Sequence, residues 1–162
     1  MDEKLVRKAG SCLTPLRFNL RGVRLSVADE FDPDIDQGNE FSAFLKYSIN
    51  KHAIVQSKNK NGHLVRWYGE FGVRLAAEES EDPDEPLVSI EVDFVESYRV
   101  NEGCDTPDEE CLVEFGNNNV QYHVWPYLRE AVQNLSDRIG VGAIPLPHYV
   151  INFTKDSESE DA

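Results

Sequence analysis

The side chains best suited to catalysis are scattered along this sequence of 162 residues. It contains no Gly-rich phosphate loop, GxSxG serine motif, HExxH zinc motif or CxxC pair. A metal site needs several ligands that converge, and the spacing of the histidines supplies none. We therefore predict no catalytic residue, no bound metal and no cofactor. We interpret each histidine as a surface or partly packed residue: His52, His63, His123 and His148.

The three cysteines, Cys12, Cys104 and Cys111, form an odd set without a CxxC pair. A disulfide scaffold is not expected from this set, and a reducing cytoplasm fits it better. Cys104 and Cys111 stand among acidic residues, which disfavours a low thiolate pKa. We interpret them as free thiols. The clustered carboxylates do not match the spacing of an EF-hand calcium loop.

The net charge of −14 is the strongest bulk signal. A surface this acidic argues against a nucleic-acid binder and favours basic or unfolded partners. Acidic runs at 29–36, 78–86, 101–110 and 156–161 lack an apolar period, so we interpret them as solvated loops and a tail. The sequence predicts neither a signal peptide nor a membrane-inserted helix, which favours a cytoplasmic location.

Alternating apolar residues predict four strands, at 17–31, 41–57, 63–78 and 86–100. The first strand loses its phase near Gly22, which indicates a bend or bulge. Asn61-Gly62 favours a hairpin between the second and third strands. Short connections between the strands predict an antiparallel sheet.

After residue 110 the apolar period changes from two to about 3.6, which predicts a helix. Pro126 is interpreted as a first-turn residue that begins this helix rather than kinking it, and Gly140 is predicted to end it. The segment 111–124 is predicted to be a shorter helix leading in, interrupted at 116–119. The apolar helix positions share one face: Trp125, Leu128, Val132, Leu135 and Ile139.

These elements predict an α+β domain, a four-stranded antiparallel sheet with one long helix packed on one face. The domain is expected over residues 16–153, between a basic, mobile segment (1–15) and an acidic, disordered tail (154–162). Core packing is the simpler interpretation of each apolar stripe alone. Taken together, the stripes exceed what one sheet and one helix can bury, which favours self-association, an exposed binding groove, or both.

The stretch VWPYLREAVQNLSDRIGVGAIPLPHYVINF (124–153) resembles the export chaperone family SecB. It has the apolar pair before Pro126-Tyr127, then Arg129-Glu130, an amphipathic helix and a proline-containing segment that ends at 151–153. With the order of the strands, the resemblance covers about residues 15–153.

The resemblance implies an ATP-independent holdase that pairs into dimers and then homotetramers and keeps exported polypeptides unfolded. By position it implies Glu91 as the docking residue for the motor ATPase SecA. The residues it implies for client binding are Phe41, Ala43, Leu45, Tyr47 and Ile49. Those it implies for subunit contacts are Ile90, Val92, Phe94, Trp125, Leu128, Val132 and Leu135.

Two departures keep alternatives open. SecB has a second helix after its NF segment, but TKDSESEDA follows Phe153 here, so the groove is expected to be more open or completed differently. Arg21 and Arg24 lie where SecB has acidic residues for SecA. The first alternative is a dedicated chaperone of an antitoxin. The second, from another class, is a structural oligomer or small-ligand binder.

Overall fold

The structure, a computed structural model, describes residues 1–36, 40–56, 58, 62–78 and 85–147. Several features of the sequence analysis lie outside these residues: Asn61 of the predicted hairpin, most of the acidic run at 78–86, His148, the 151–153 segment of the family resemblance and the acidic tail, 154–162. Within the described part, no helix is both long and apolar enough to cross a membrane.

The fold is α+β, with a four-stranded antiparallel sheet as expected. The strands are β1 (Leu13–Val27), β2 (Phe41–Gln56), β3 (His63–Ala77) and β4 (Val88–Val100). Their order in the sheet is β1-β4-β3-β2, so β1 and β2 are the edges. The bulge predicted near Gly22 is confirmed, because the pairing of β1 with β4 shifts between Leu20 and Gly22. A second shift, between Pro15 and Arg17, was not predicted.

The two faces of the sheet differ in what covers them. On one, called the helix face, Trp125 packs edge-to-face on Phe71 with ring centroids 5.5 Å apart, and Tyr127 stacks on Phe18 at 4.8 Å. The other, called the open face, alternates with it along every strand. Its ion-paired side chains are Arg24, Lys46, Glu70, Arg74, Glu91 and Asp93.

The helix on the sheet begins earlier than predicted. It consists of α2 (Glu109–Phe115), a π-helical turn (Gly116–Val120) and α3 (Gln121–Arg138) in direct succession. The predicted interruption at 116–119 is therefore a wider helical turn. Pro126 lies inside α3 rather than at its start, which corrects the prediction. Its ring is exposed, so water can solvate the backbone group that loses a donor.

Gly116 allows the helix to approach the sheet closely. A Cβ atom on this residue would collide with the indole nitrogen of Trp67. The same indole N–H donates a hydrogen bond of 3.3 Å to the Leu112 carbonyl. The π-helical turn therefore begins where the backbone rests on the Trp67 ring.

The predicted end of the helix is confirmed. Gly140 has φ of +78°, a left-handed conformation that favours glycine. Its N–H bonds to the Asp137 carbonyl at 3.2 Å, and that of Val141 bonds to the Ser136 carbonyl at 3.1 Å. This paired arrangement is a Schellman motif, and it turns the chain back toward the sheet.

The N-terminal segment differs from the prediction of a mobile stretch over residues 1–15. Residues Glu3–Cys12 form a helix, α1, and β1 begins at Leu13. Asp2 caps the helix, because its carboxylate accepts hydrogen bonds from the Lys4 and Leu5 amides. The helix buries Val6 and Ala9. So few apolar positions gave only a weak periodic signal, which is why the helix was missed.

Candidate functional site

The helix covers the middle of the sheet and leaves its edges uncovered. One cross-strand row on the helix face consists of four apolar residues: Leu25, Ile90, Val73 and Leu45. The inner pair, on β4 and β3, is 1% exposed. The outer pair is 40% and 43% exposed. The apolar surplus expected from the sequence therefore lies along the two edges of the helix face.

On the β1 side this surplus forms a continuous stripe, called the β1 margin. It consists of Leu20, Val23, Leu25 and Val27, which are between 39% and 45% exposed. Their orientation is fixed by the bulge before Gly22, since Arg24 then points to the open face and bonds Glu91 and Asp93. Large apolar side chains this exposed and this closely grouped indicate a surface that meets a partner.

On the β2 side, the apolar residues that the helix leaves uncovered line a cavity of about 350 Å³, which we call the apolar groove. One wall is the start of β2, the second is the loop after β1, and the third is the chain that follows α3. Apart from Asp36, the side chains that line the walls are apolar. They include Phe31, Phe41, Ala43, Leu75, Val141 and Ile144.

Two contacts set the shape of the apolar groove. Phe31 meets Phe41 edge-to-face with ring centroids 5.9 Å apart, which holds the loop after β1 against the start of β2. The Schellman turn directs residues 140–145 over the sheet. The Trp125 indole N–H then bonds the Pro147 carbonyl at 3.1 Å and anchors that segment to α3.

All five residues expected to bind clients lie on the helix face of β2. Phe41 and Ala43 line the apolar groove, and Leu45 is exposed beside them in the strand. Tyr47 and Ile49 are half-buried against the core, with Tyr47 stacked on Phe94 at 6.1 Å. Their role in binding stays a prediction.

The residues expected at subunit contacts lie inside this one chain, and their role between subunits stays a prediction. The seventh of them, Leu135, is half-buried against the core of this chain. The other six are fully buried in that core: Ile90, Val92, Phe94, Trp125, Leu128 and Val132. Alternation on β4 and the 3.6 period on α3 place them between sheet and helix. In this chain these side chains form part of its own core.

Glu91, expected to dock a partner, is already engaged on the open face. Its carboxylate accepts hydrogen bonds from Arg24 at 3.1 Å and from Arg74 at 3.2 Å. These hydrogen bonds lower the pKa of Glu91 below its ordinary value, and the bond from Arg24 has the larger effect. A partner that binds Glu91 would have to replace these guanidinium groups.

The core under the helix contains one carboxyl group, that of Glu96, among the described residues. Glu96 is 3% exposed, and within the described part of the chain its Oε2 atom has no hydrogen-bond partner. Burial raises its pKa to about 7. On the same face, the Tyr98 hydroxyl lies 2.6 Å from Nδ1 of His123, and burial lowers the pKa of that histidine.

The remaining candidates for chemistry do not converge. In the described ranges, no three His, Cys, Asp or Glu side chains are placed to hold a metal ion. Burial raises the pKa of the Cys111 thiol, and a hydrogen bond with Cys12 raises that of Cys104. Both shifts disfavour an activated thiolate, in line with the interpretation of these residues as plain thiols. The site can therefore act through apolar contact, which is strong but not directional.

The comparisons with known proteins concern the fold. A scan of protein-family models gave no match, and neither did a search of curated proteins. Among solved structures, the chain is similar to the SecB-like chaperone Rv1957 of Mycobacterium tuberculosis, solved in complex with a ChAD peptide from the HigA1 antitoxin, Rv1956. The two are 16% identical with a TM-score of 0.67, over 93% of this chain and 100% of the other. The chain thus has the fold of a SecB-like chaperone.

Sequence reasoning missed half of the groove. Phe31 was placed at the end of the first predicted strand, and Val141 and Ile144 lie in a segment without a periodic pattern, so nothing marked the three as parts of one groove. Their signal was indirect, since each is an apolar residue that shortly precedes a proline, Pro33 or Pro145. The apolar residues of the β1 margin could be recognised in the sequence from their alternation, but their exposure to solvent could not.

Proposed function

We propose that this protein is an ATP-independent holdase that binds extended apolar segments of non-native polypeptides in the apolar groove. The observation that carries the proposal is the groove itself, an uncovered apolar cavity beside the exposed Leu45 of an edge strand. The mode of binding requires no nucleotide and no covalent step.

An edge strand gives such a groove a second means of binding. The outer backbone groups of β2 have no neighbouring strand in the described sheet, because β2 ends the order β1-β4-β3-β2. An extended client can add its own backbone hydrogen bonds there while its side chains enter the groove. Such pairing is independent of client sequence, as a chaperone requires.

The charge of the protein supports the same function. A net charge of −14 keeps a loaded chaperone soluble and attracts cationic segments of unfolded clients. Asp36 adds a carboxylate at the rim of the apolar groove. Clients that combine apolar and basic residues should therefore bind best. The proposed location is the cytoplasm.

Two kinds of client fit this groove. One is the exported polypeptides of the general SecB function, and the other is a single antitoxin with an exposed apolar segment. The second candidate is favoured by the similar fold of a chaperone solved with an antitoxin peptide. Co-purification from native cells separates them: one stoichiometric small partner supports the antitoxin role, and a mixture of precursors supports export.

The proposal extends to a homotetramer in which the β1 margin, rather than the core residues, forms the subunit contact. An exposed edge strand with a flanking apolar stripe is suited to self-pairing. Docking of SecA through Glu91 is the least supported part, because Arg24 and Arg74 already bond that carboxylate.

The test is the aggregation of a chemically denatured client after dilution, followed by light scattering without nucleotide. We expect suppression by the wild-type protein and loss of suppression in Ala43→Glu, which places a charge in the apolar groove. Ala53→Glu makes the same change on the open face of the same strand and should retain activity. Unchanged scattering with the wild-type protein would reject the holdase function.

A further inference from the structure

The open face is divided into two halves with different electrostatics. In the half that contains Glu91 and Asp93, the basic side chains are paired. Arg24 bonds both carboxylates, at 3.1 and 2.7 Å. Arg74 bonds Glu91 at 3.2 Å. Lys46 bonds Glu70 at 3.3 Å and completes this balanced half.

The other half of the open face is basic. The pairing register places Arg17 and Arg66 on either side of Ser97, in one cross-strand row. Arg99 lies in the next row of β4, and Arg21 stands at the β1 bulge. The rows there are Thr14, Arg99, Leu64 and Val55, then Arg17, Ser97, Arg66 and Ala53, then Asn19, Val95, Tyr68 and Lys51. None of these rows contains an acidic residue.

Three of these arginines have no acidic partner within the part of the chain that the structure describes. Across the described ranges, Arg17, Arg21 and Arg66 make no ion pair, although the chain has 30 acidic residues against 16 basic ones. Several like charges on one face of a sheet oppose its stability slightly. A basic cluster without ion pairs, in a chain with so large an excess of acidic residues, favours an anionic ligand at this place.

The shape of this region also fits a ligand. The three arginines surround a cavity of about 490 Å³, which we call the arginine groove. Apolar side chains lie between the charges, among them Leu16, Leu64, Tyr68 and Val95. Arginine is well suited to such a site, because its planar fork binds carboxylates in pairs of hydrogen bonds.

We propose that the arginine groove docks an acidic, partly apolar segment of a partner protein in extended conformation. Three rows span about 14 Å, room for roughly four or five extended residues. A long polyanion such as nucleic acid or a lipid surface is disfavoured, since Glu70, Glu91 and Asp93 continue the same face and would repel it. This site is on the opposite side of the sheet from the apolar groove, so it goes beyond the proposed function.

The test uses a fluorescent peptide of alternating Leu and Glu, about nine residues long, titrated with the full chain and followed by anisotropy. We expect Arg17→Glu and Arg21→Glu each to weaken binding about tenfold or more, since each reverses one charge in the groove. Arg129→Glu on exposed α3 makes the same change in net charge and should bind normally. Any binding of a Leu–Lys peptide, which would take place elsewhere on the protein, should not be weakened by Arg17→Glu or Arg21→Glu.

Three results would overturn the proposal. The first is equal weakening by Arg129→Glu, which would mean that only net charge matters. The second is binding to phosphatidylserine vesicles or single-stranded DNA that matches the peptide and is equally sensitive to Arg17→Glu. The third is a change in oligomer mass on Arg17→Glu, which would make the groove a contact between copies. Light scattering with the denatured client should be unaffected by these variants, which separates failure here from failure of the holdase function.

Discussion

One cross-strand row of the sheet contains two pairs of apolar residues in opposite environments. Leu25 and Leu45 lie on the edges of the sheet, and Ile90 and Val73 lie in its middle. The inner pair lies under the helix, and the outer pair is exposed to solvent. All four belong to strands that were predicted from alternating apolar residues. The difference teaches that the position of a strand in the sheet, rather than its own pattern, decides whether an apolar residue serves the core or a partner.

The largest effect should come from breaking the inner half of this row. Ile90→Ala removes buried side-chain atoms from the core and should lower the free energy of unfolding by about 2–5 kcal/mol. Leu45→Ala removes a similar group from an exposed position and should cost less than about 1 kcal/mol. Urea denaturation of the two variants measures the contrast. Equal losses would mean that the edge is buried in solution.

The next largest effect concerns Glu96, the one carboxyl group on the helix face of the described sheet. Its pKa is about 7 in the folded protein, above the ordinary value. The folded state therefore holds the proton more tightly, so the contribution is full at acidic pH and is lost as pH rises toward and through 7. The loss should reach about 3 kcal/mol, and Glu96→Gln should remove it.

The measurement is denaturant unfolding of the wild-type protein and Glu96→Gln from pH 5 to pH 8. Burial lowers the pKa of His123, so its own effect is a loss of stability toward acidic pH. Subtracting the two proteins cancels that effect. Exposed Glu130→Gln is the matched control and should follow the wild-type curve. A difference between wild type and Glu96→Gln that does not vary with pH would show that Glu96 does not titrate in this range.

A smaller loss is expected where the helix touches the middle of the sheet. Gly116→Ala adds a Cβ atom that would collide with the Trp67 indole, so helix or ring must shift. Overpacking of this kind costs about 1–3 kcal/mol. Thermal unfolding followed by tryptophan fluorescence reports both the loss and the displaced ring. The control is Ser11→Ala, a small change at an exposed position of α1.

The smallest effect on stability is expected at the β1 margin. The same change should have a larger effect on the assembly of subunits. Leu25→Ser should change the free energy of unfolding by less than about 1 kcal/mol, because the side chain is exposed. It should also shift sedimentation toward smaller species, since the margin is the proposed subunit contact. Val113→Ser, at a similarly exposed site on α2, should leave the mass unchanged.

Much of the fold could be predicted from local patterns. Alternation located the four strands to within a few residues, and loss of phase located the bulge at Gly22. The α-helical period and Gly140 located the end of α3. These features depend on residues close in sequence, so the sequence contains their signal directly.

The rest depends on contacts between distant residues. Pairing of β1 with β4 makes β1 an edge strand, and nothing within β1 indicates it. Pro126 within α3 requires a helix extended upstream through a π-helical turn that rests on Trp67. The residues expected at subunit contacts are a further case. They were inferred by position from a family resemblance, whereas their burial follows from how this chain packs its own helix on its own sheet.

The central claim is that non-native polypeptides occupy the apolar groove at the β2 edge. Its most direct test is photo-crosslinking of a denatured client that carries a light-activated group, followed by mass spectrometry of the linked peptides. The account predicts links to residues 41–45 and 141–144, and their loss in Ala43→Glu but not in Ala53→Glu. Links confined to the open face, or equal links in both variants, would contradict it.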